Sequence, residues 1–391
     1  MNKIETLLKE LCPNGVELEE IGKIIDYEQP TKYLVSSKEY NDNYELPVLT
    51  AGQTFILGYT NETEGIYQAS KENPVIIFDD FTTSKKWVDF NFKIKSTAMK
   101  ILKVKSGVSN ILIRYVWHYL GTITYSPDQH GRQWISTYSK FKIPIPPLEI
   151  QEEIVKILDK FTDYVTELTT ELTLRQKQYN YYRDKLLSFE EEVQIKKLSE
   201  LATIKARIGW QGLTKKEYLE TGEYYLVTGT DFVKGTVNFN TCHFVEEKRF
   251  FQDKNIQLKE EDVLVTKDGT LGKVAYITNL PGPTTLNSGV FVVRKNSDEI
   301  LSRYLYHYLN SPYLMNFAQS KLTGGTIKHL NQNVIVELPI PIPDLDKQKE
   351  IIYILDSFNS IVNNLENGLP KEIELRQKQY EYYRDKLLTF D

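Results

Sequence analysis

The chain has 391 residues, 41% hydrophobic and 12% aromatic with 26 tyrosines, enough for two or three domains with sizeable cores. Its net charge of −5 leaves no basic stripe, so any grip on nucleic acid by this chain alone is expected to be modest, because phosphate neutralisation dominates such affinity. Cys12 and Cys242, the two cysteines, are too few for a disulfide framework or a zinc site and read as packing residues, and without an apolar run near the roughly 18 residues of a membrane helix the expectation is a cytoplasmic protein.

In chain order, Met1–Glu10 reads as a short amphipathic helix without a signal-peptide core. Residues 1–146 form a first mixed α+β domain, in which Pro74–Phe78 is a β-rich run and Arg114–Leu120 has helical spacing before the polar loop His130-Gly-Arg-Gln-Trp134. Pro147 suits a first helical turn, and residues 147–190 form a central spacer helix. Its seam runs Ile154, Leu158, Phe161, Val165, Leu168, Leu172, Arg175, Tyr179, Tyr182, Leu186, the alternating 4 and 3 spacing of a coiled coil. A helix over 150–187 spans about 57 Å, or about 17 base pairs. Residues 191–342 form a second mixed domain with β-rich runs at Val263–Thr266 and Val290–Val293, helical spacing at Arg303–Leu309, and a loop at Thr323–His329. Residues 343–391 form a second spacer helix, with one extra four-residue step at Gly368–Pro370 that predicts a kink or break.

The chain repeats itself. Leu174–Phe189 (LRQKQYNYYRDKLLSF) returns as Leu375–Phe390 (LRQKQYEYYRDKLLTF), Ile143–Gln151 as Ile340–Gln348, Arg114–Leu120 as Arg303–Leu309, and Val16–Ile24 weakly as Val193–Leu201. The fold class that follows is α+β: two mixed globular domains separated by two long antiparallel coiled-coil helices in a pseudo-two-fold repeat. The helices stay alike while the domains drift apart, so the helices share a task and the domains differ in theirs.

Signatures of catalysis are missing: Gly269-Thr-Leu-Gly-Lys273 lacks the spacing of a phosphate loop, and no HExxH, GxSxG or amino-methyltransferase motif is present. Asp79-Asp80 near Lys85-Lys86 matches a nuclease set only weakly. The loops instead carry residue types that read base edges and phosphates. The DNA-contact candidates are Gln53, Lys85, Lys86, Trp87, Gln129, Arg132 and Gln133 in the first domain, and Arg207, Trp210, Gln211, Lys267, Lys273, Lys328, His329 and Asn331 in the second. No residue stands out as catalytic or as a metal ligand.

The Pro-Ile-Pro-Pro-Leu-x-x-Gln entry at Pro144–Gln151, its altered copy at Pro341–Gln348 with Asp344 as a candidate helix cap, and the Cys12-Pro-Asn-Gly-Val16 start resemble the specificity (S) subunits of type I restriction–modification systems. The resemblance covers the whole chain, and Thr166–Thr173 looks like the tandem four-residue repeat of one subgroup. It implies two target-recognition domains that each read half of a split asymmetric site in double-stranded DNA. It also implies spacer helices that dock two methyltransferase subunits, with restriction subunits joining later. The chain is then a non-catalytic recognition subunit holding no cofactor, and S-adenosylmethionine, ATP and magnesium belong to its partners. Tyr181, Arg183, Tyr382 and Arg384 are the docking candidates, since Tyr and Arg are enriched in binding hot spots. A protein-only coiled-coil adaptor and a cryptic nuclease are the alternative readings.

Overall fold

The computed structural model describes residues 2–50, 54–125, 127, 131–189, 193–208, 212–321, 328–363 and 368–390. The chain forms two compact units: Met1–Thr166 with Leu375–Asp391, and Glu167–Glu374. Each is a mixture of helix and sheet, and each repeats the plan of the other.

In the first unit an antiparallel four-stranded sheet runs in the order Ile25–Glu28, Met99–Val104, Val75–Asp79, Lys85–Val88. A three-stranded sheet places Leu46–Leu49 between antiparallel Ile56–Thr60 and parallel Lys93–Ile94. Val75–Asp79 is buried at every position because both of its faces are covered. Ile76 and Phe78 enter a core with Leu102, Tyr115 and Val116, while Val75 and Ile77 enter another with Leu49, Ile94 and Ile101. That two-sided burial accounts for an unbroken apolar run where a half-exposed strand would alternate.

The second unit has the same topology. Ala202–Ala206, Val290–Lys295, Val263–Thr266 and Val274–Tyr276 form the larger sheet, and Tyr224–Val227 lies between antiparallel His243–Val245 and parallel Thr284–Leu286. One difference is the link from the middle strand of the small sheet to its antiparallel neighbour, residues 228–242 in place of 50–55. The longer link carries a hairpin, Phe232–Val233 against Thr236–Val237. Gly235 turns it with φ +85, and a Cβ there would stand 2.1 Å from the Tyr306 hydroxyl, so glycine is required on two counts.

The helices that matter for function are α1 (Asn2–Leu11), α2 (Ile113–Tyr119), α3 (Leu148–Leu187), α4 (Ser302–Leu309), α5 (Leu345–Asn363) and α6 (Leu369–Leu388). The expected central helix is one element of 40 residues. The second spacer is divided as its extra step predicts. Helix α6 starts just after Gly368, whose carbonyl accepts the Lys371 and Glu372 amides at 3.0 and 3.2 Å, and Pro370 sits in the first turn where it costs no hydrogen bond. Asp344 caps α5, its carboxylate accepting the Lys347 amide at 2.8 Å. Within the first unit Ile150, Ile154 and Leu158 of α3 share a core with Tyr380, Leu387 and Leu388 of α6. Among the described residues no helix is long and apolar enough to cross a membrane.

Candidate nucleic-acid interface

The glutamine that ends the Leu-x-x-Gln part of each entry binds each globular part to its helix. Gln151 is fully buried. Its Oε1 accepts the Leu112 amide at 2.9 Å, and its Nε2 donates to the Asn110 and Pro146 carbonyls at 2.9 and 2.7 Å. Gln348 does the same with Leu301 (2.9 Å), Glu299 (2.8 Å) and Pro343 (2.9 Å). Tyr115 and Tyr304 then donate to the Pro144 and Pro341 carbonyls at 3.1 and 3.0 Å.

A charged latch follows about two turns on, eight residues past each glutamine. Arg114 and His118 of α2 converge on Asp159 of α3 at 2.7 and 2.8 Å. Arg303 and His307 of α4 converge on Asp356 of α5 at 2.7 and 2.8 Å. Arg114 is sandwiched between Trp87 and Trp117, with ring centroids at 4.5 and 4.4 Å; Arg303 lies between Tyr276 and Tyr306 at 4.7 and 4.6 Å. Burial holds both histidines below their ordinary pKa against the pull of the aspartates. Burial also pushes Asp159 and Asp356 up, but the histidine and arginine outweigh it and hold both carboxyls low. The geometry therefore assigns neutral imidazoles whose Nε2–H donates to a carboxylate. The latches differ at Nδ1: His118 Nδ1 accepts from Tyr380 at 3.0 Å, whereas buried His307 Nδ1 has no partner among the described residues.

These latches leave one turn and one loop of each unit at matching places. In the first unit the Gln133 amide donates to the Asp80 carbonyl at 2.8 Å; in the second the Leu330 amide donates to the Lys267 carbonyl at 2.9 Å. DNA-contact candidates cluster around both bridges. In the second unit Lys267, Lys328, His329 and Asn331 are brought together, with His329 Nδ1 2.6 Å from Asp268. Lys328, His329 and Asn331 are exposed and Lys267 is half-buried against Phe291. Lys273, also exposed, lies across the same turn, its amide donating to Thr266 Oγ1 at 2.9 Å.

In the first unit Arg132 is exposed beside the bridge, and Lys86 is exposed with its ammonium 5.9 Å from the Phe55 centroid. Gln133 is buried, taking the Tyr125 hydroxyl and giving to the Gly131 carbonyl, both at 2.9 Å. It shapes the loop from inside. Trp87 is half-buried and engaged with Arg114. Lys85 points away from Lys86, toward Gly121 and Arg384, and burial, then the Arg384 charge, push it down to about 7.

Arg207 lies apart from these clusters. It is fully buried and donates to the Leu286 and Arg249 carbonyls, Gln252 and Thr285 at 2.9–3.2 Å, so a base contact would cost it those bonds. Gln53, Gln129, Trp210 and Gln211 lie outside the described residues. Asp79 caps its own turn through the Phe81 amide and Thr82 hydroxyl at 2.9 and 2.6 Å. Asp80 holds the Trp134 amide at 2.8 Å and buried Lys100 at 3.5 Å. Both carboxylates are thus committed to loop structure.

On the helices, Tyr181 and Tyr382 project outward, each 61% exposed. Arg183 and Arg384 turn back over Tyr179 and Tyr380, both at 5.7 Å, and pair with Asp184 and Asp385 at 2.8 and 2.6 Å. The glutamine brackets and the His–Asp latches were not among the sequence candidates. One signal pointed to them: Gln151, His118 and Asp159 recur as Gln348, His307 and Asp356 while neighbours change, as Ile150 does to Lys347.

The family model for the type I restriction modification DNA specificity domain matches the chain twice, over residues 13–175 and 190–375. A type I restriction enzyme EcoR124I/EcoR124II specificity subunit from Escherichia coli is 44% identical over 407 aligned residues, covering 100% of this chain and 97% of the relative. A type I restriction–modification S subunit from M. genitalium matches in structure with a TM-score of 0.58 at 16% identity, covering 96% of this chain and 97% of that one. A chain from a structure of type I system assembly and conformational transition matches with a TM-score of 0.54 at 15% identity, covering 96% and 98%. With the repeat, the sheets and the latches all present twice, the chain belongs to the type I restriction–modification DNA specificity family.

Proposed function

We propose that this chain is the DNA specificity subunit of a type I restriction–modification complex, reading a bipartite asymmetric duplex site with one half-site per unit. The observation that carries this reading is the contrast within one chain. Sheets, glutamine brackets and latches are kept in both units, while the loops at the matching bridges carry different side chains. Duplication of the scaffold with divergence of the loops is what two unlike half-sites require.

In the same reading, α3 and α6 offer near-identical faces to two methyltransferase subunits, the simplest way for one chain to recruit two identical partners, and restriction subunits join that core. Methylation and cleavage, with S-adenosylmethionine, ATP and magnesium, belong to those partners, and this chain contributes selection without catalysis. The commitment of Asp79 and Asp80 to loop structure weighs against the nuclease alternative. The test is to replace residues 191–342 with the corresponding domain of another family member and map methylated bases made by the assembled methyltransferase. One half-site changes and the other stays. A change in both, or in neither, overturns the reading.

A further inference from the structure

The two units support the chain at Arg132 and at Asn331 by different chemistry. Strand register sets the correspondence between them. Pairing Ile76 with Trp87 and Leu102, and Val263 with Tyr276 and Val293, makes Asp80 match Lys267 and Lys100 match Phe291. Pairing Tyr27 with Leu102, and Ile204 with Val293, makes Gln29 match Ala206. Three buried polar groups of the first unit thus stand where the second has an alanine, a phenylalanine and a half-buried lysine.

In the first unit these groups form one connected network. Lys100 is fully buried, its ammonium 3.5 Å from Asp80 Oδ2, 4.9 Å from the Tyr27 centroid and donating to Gln29 Oε1. Gln29 is held in turn by the Thr97 carbonyl at 2.9 Å. Asp80 then takes two successive amides of the returning chain, Gln133 on its carbonyl and Trp134 on Oδ1, both at 2.8 Å. The Trp134 ring is fixed as well, against Phe78 at 5.3 Å. The second unit keeps only the backbone half of this clamp, from the Leu330 amide to the Lys267 carbonyl. An ammonium has no lone pair to offer an amide, and that of Lys267 lies over the Phe291 ring at 5.4 Å.

Stability does not call for the network. Burying an ion pair costs desolvation that its attraction barely offsets, and apolar replacement is often neutral or better. The second unit has made that replacement on the same scaffold. What the network adds is definition. A backbone held at two successive amides has fewer ways to lie than one held once, and exposed Arg132 is the residue just before the clamp.

We propose that Lys100 is a positioning residue for the first half-site, fixing Asp80 and, through it, the direction from which Arg132 meets the duplex. The proposal rests on the DNA reading above. Lys100 itself is too deeply buried to touch DNA, so it governs discrimination between sequences and leaves the grip on the phosphates alone.

The test uses the chain assembled with its methyltransferase partner. Binding is compared for the mapped duplex and for duplexes with one base pair changed in either half-site. Lys100→Met removes the cation. The triple variant Gln29→Ala, Asp80→Lys, Lys100→Phe installs the second unit's own set, which that scaffold accommodates. Both should discriminate about 10-fold less at the first half-site, within the range that one base pair controls. The second half-site and the slope of log K against log salt should stay as they were. Lys100→Met combined with Asp80→Asn should lose no more than Lys100→Met alone, because the two residues act in series. A lower melting temperature with unchanged discrimination would leave Lys100 a purely structural residue and overturn the proposal. A uniform loss with a smaller salt slope, or losses that multiply in the double variant, would overturn it too. If the unsubstituted complex does not discriminate at either half-site, the DNA reading itself fails and takes the proposal with it.

Discussion

The rings of Phe161 and Tyr383 stack at 5.1 Å and 15°, and the repeat carries the same pair as Phe358 on Tyr182 at 5.3 Å and 20°. Each pair sets a residue from the start of one spacer against a residue near the end of the other. Along α3 the partners run backwards in sequence, Tyr383 at Phe161 and Phe358 at Tyr182, which is the order of an antiparallel pair.

That order makes spacer length testable. Duplicating Thr170–Thr173 adds four residues to α3, about 6 Å of helix, and rotates it by about 40° beyond a full turn. Coiled coils tolerate such a stutter. The unread gap between half-sites should grow by one or two base pairs, about 1.8 at 3.4 Å each, while both half-sites keep their sequence. A five-residue insertion should assemble poorly because it turns the seam away. Methylome mapping of the four-residue mutant decides the matter: normal assembly with only the original gap methylated would falsify the spacer as a ruler.

Replacing Gln151 with leucine keeps its bulk but leaves the Leu112 amide and the Pro146 carbonyl buried without partners. The expected loss is on the order of 3 kcal/mol in the first unit, seen as a lower denaturant midpoint for signals from that unit. Gln348→Leu should do the same to the second. Equal stability of Gln151→Leu and the unsubstituted chain would show that these brackets are dispensable.

The latches predict acid sensitivity with a definite sign. His118 is held below its ordinary value in the fold, so the unfolded chain binds the proton first. The stability it contributes is present above about 6.5 and is lost as pH falls from there through the lower folded value. Asp159, also lowered, loses its contribution only below the ordinary carboxylate range. Thermal melts from pH 7.5 to 4.5 should show a fall that His118→Asn reduces and that His118→Asn with His307→Asn largely flattens. A histidine that stabilised the fold by being charged would give the reverse slope, with stability rising on acidification.

Tyr181 and Tyr382 face outward in segments that are otherwise repeated almost letter for letter. Packing accounts for Tyr179, Tyr380, Arg183 and Arg384, which face inward, but not for two exposed tyrosines at matching places. Tyr382→Ala should yield complexes with one methyltransferase subunit in native mass spectra, Tyr181→Ala the same, and the double variant none. Unchanged two-to-one stoichiometry in both single variants would sink this assignment, while the fold should be unaffected in each.

The repeat, the mixed helix-and-sheet fold and the spacer break could be read from the sequence because periodicity and turn chemistry act locally. Gly368 and Pro370 mark the restart of α6, and Asp344 caps α5, as their residue types suggest. Burial of polar side chains was not legible in the same way. Ala202–Ala206 alternates buried and exposed, and Arg207 continues the exposed parity, yet it turns in to meet Leu286 and Thr285. Lys85 and Lys86 look alike as neighbours, but pleating sends them to opposite faces, one toward Arg384 and one toward Phe55. The partner in each case comes from a distant stretch of chain. His118 with Tyr380 is the extreme, at a separation of 262 residues.

The last seventeen residues, Leu375–Asp391, belong to the first unit, and this has a consequence for biosynthesis. On a ribosome the first unit emerges early yet lacks one wall of its core until Tyr380, Leu387 and Leu388 have been made, after the whole second unit. The second unit, contiguous in sequence, can close first. Nascent chains should therefore expose the apolar side of α3 for most of their synthesis, a state that invites chaperones or aggregation. A frameshift just ahead of Leu375 would spare the later-made unit and cripple the one made first.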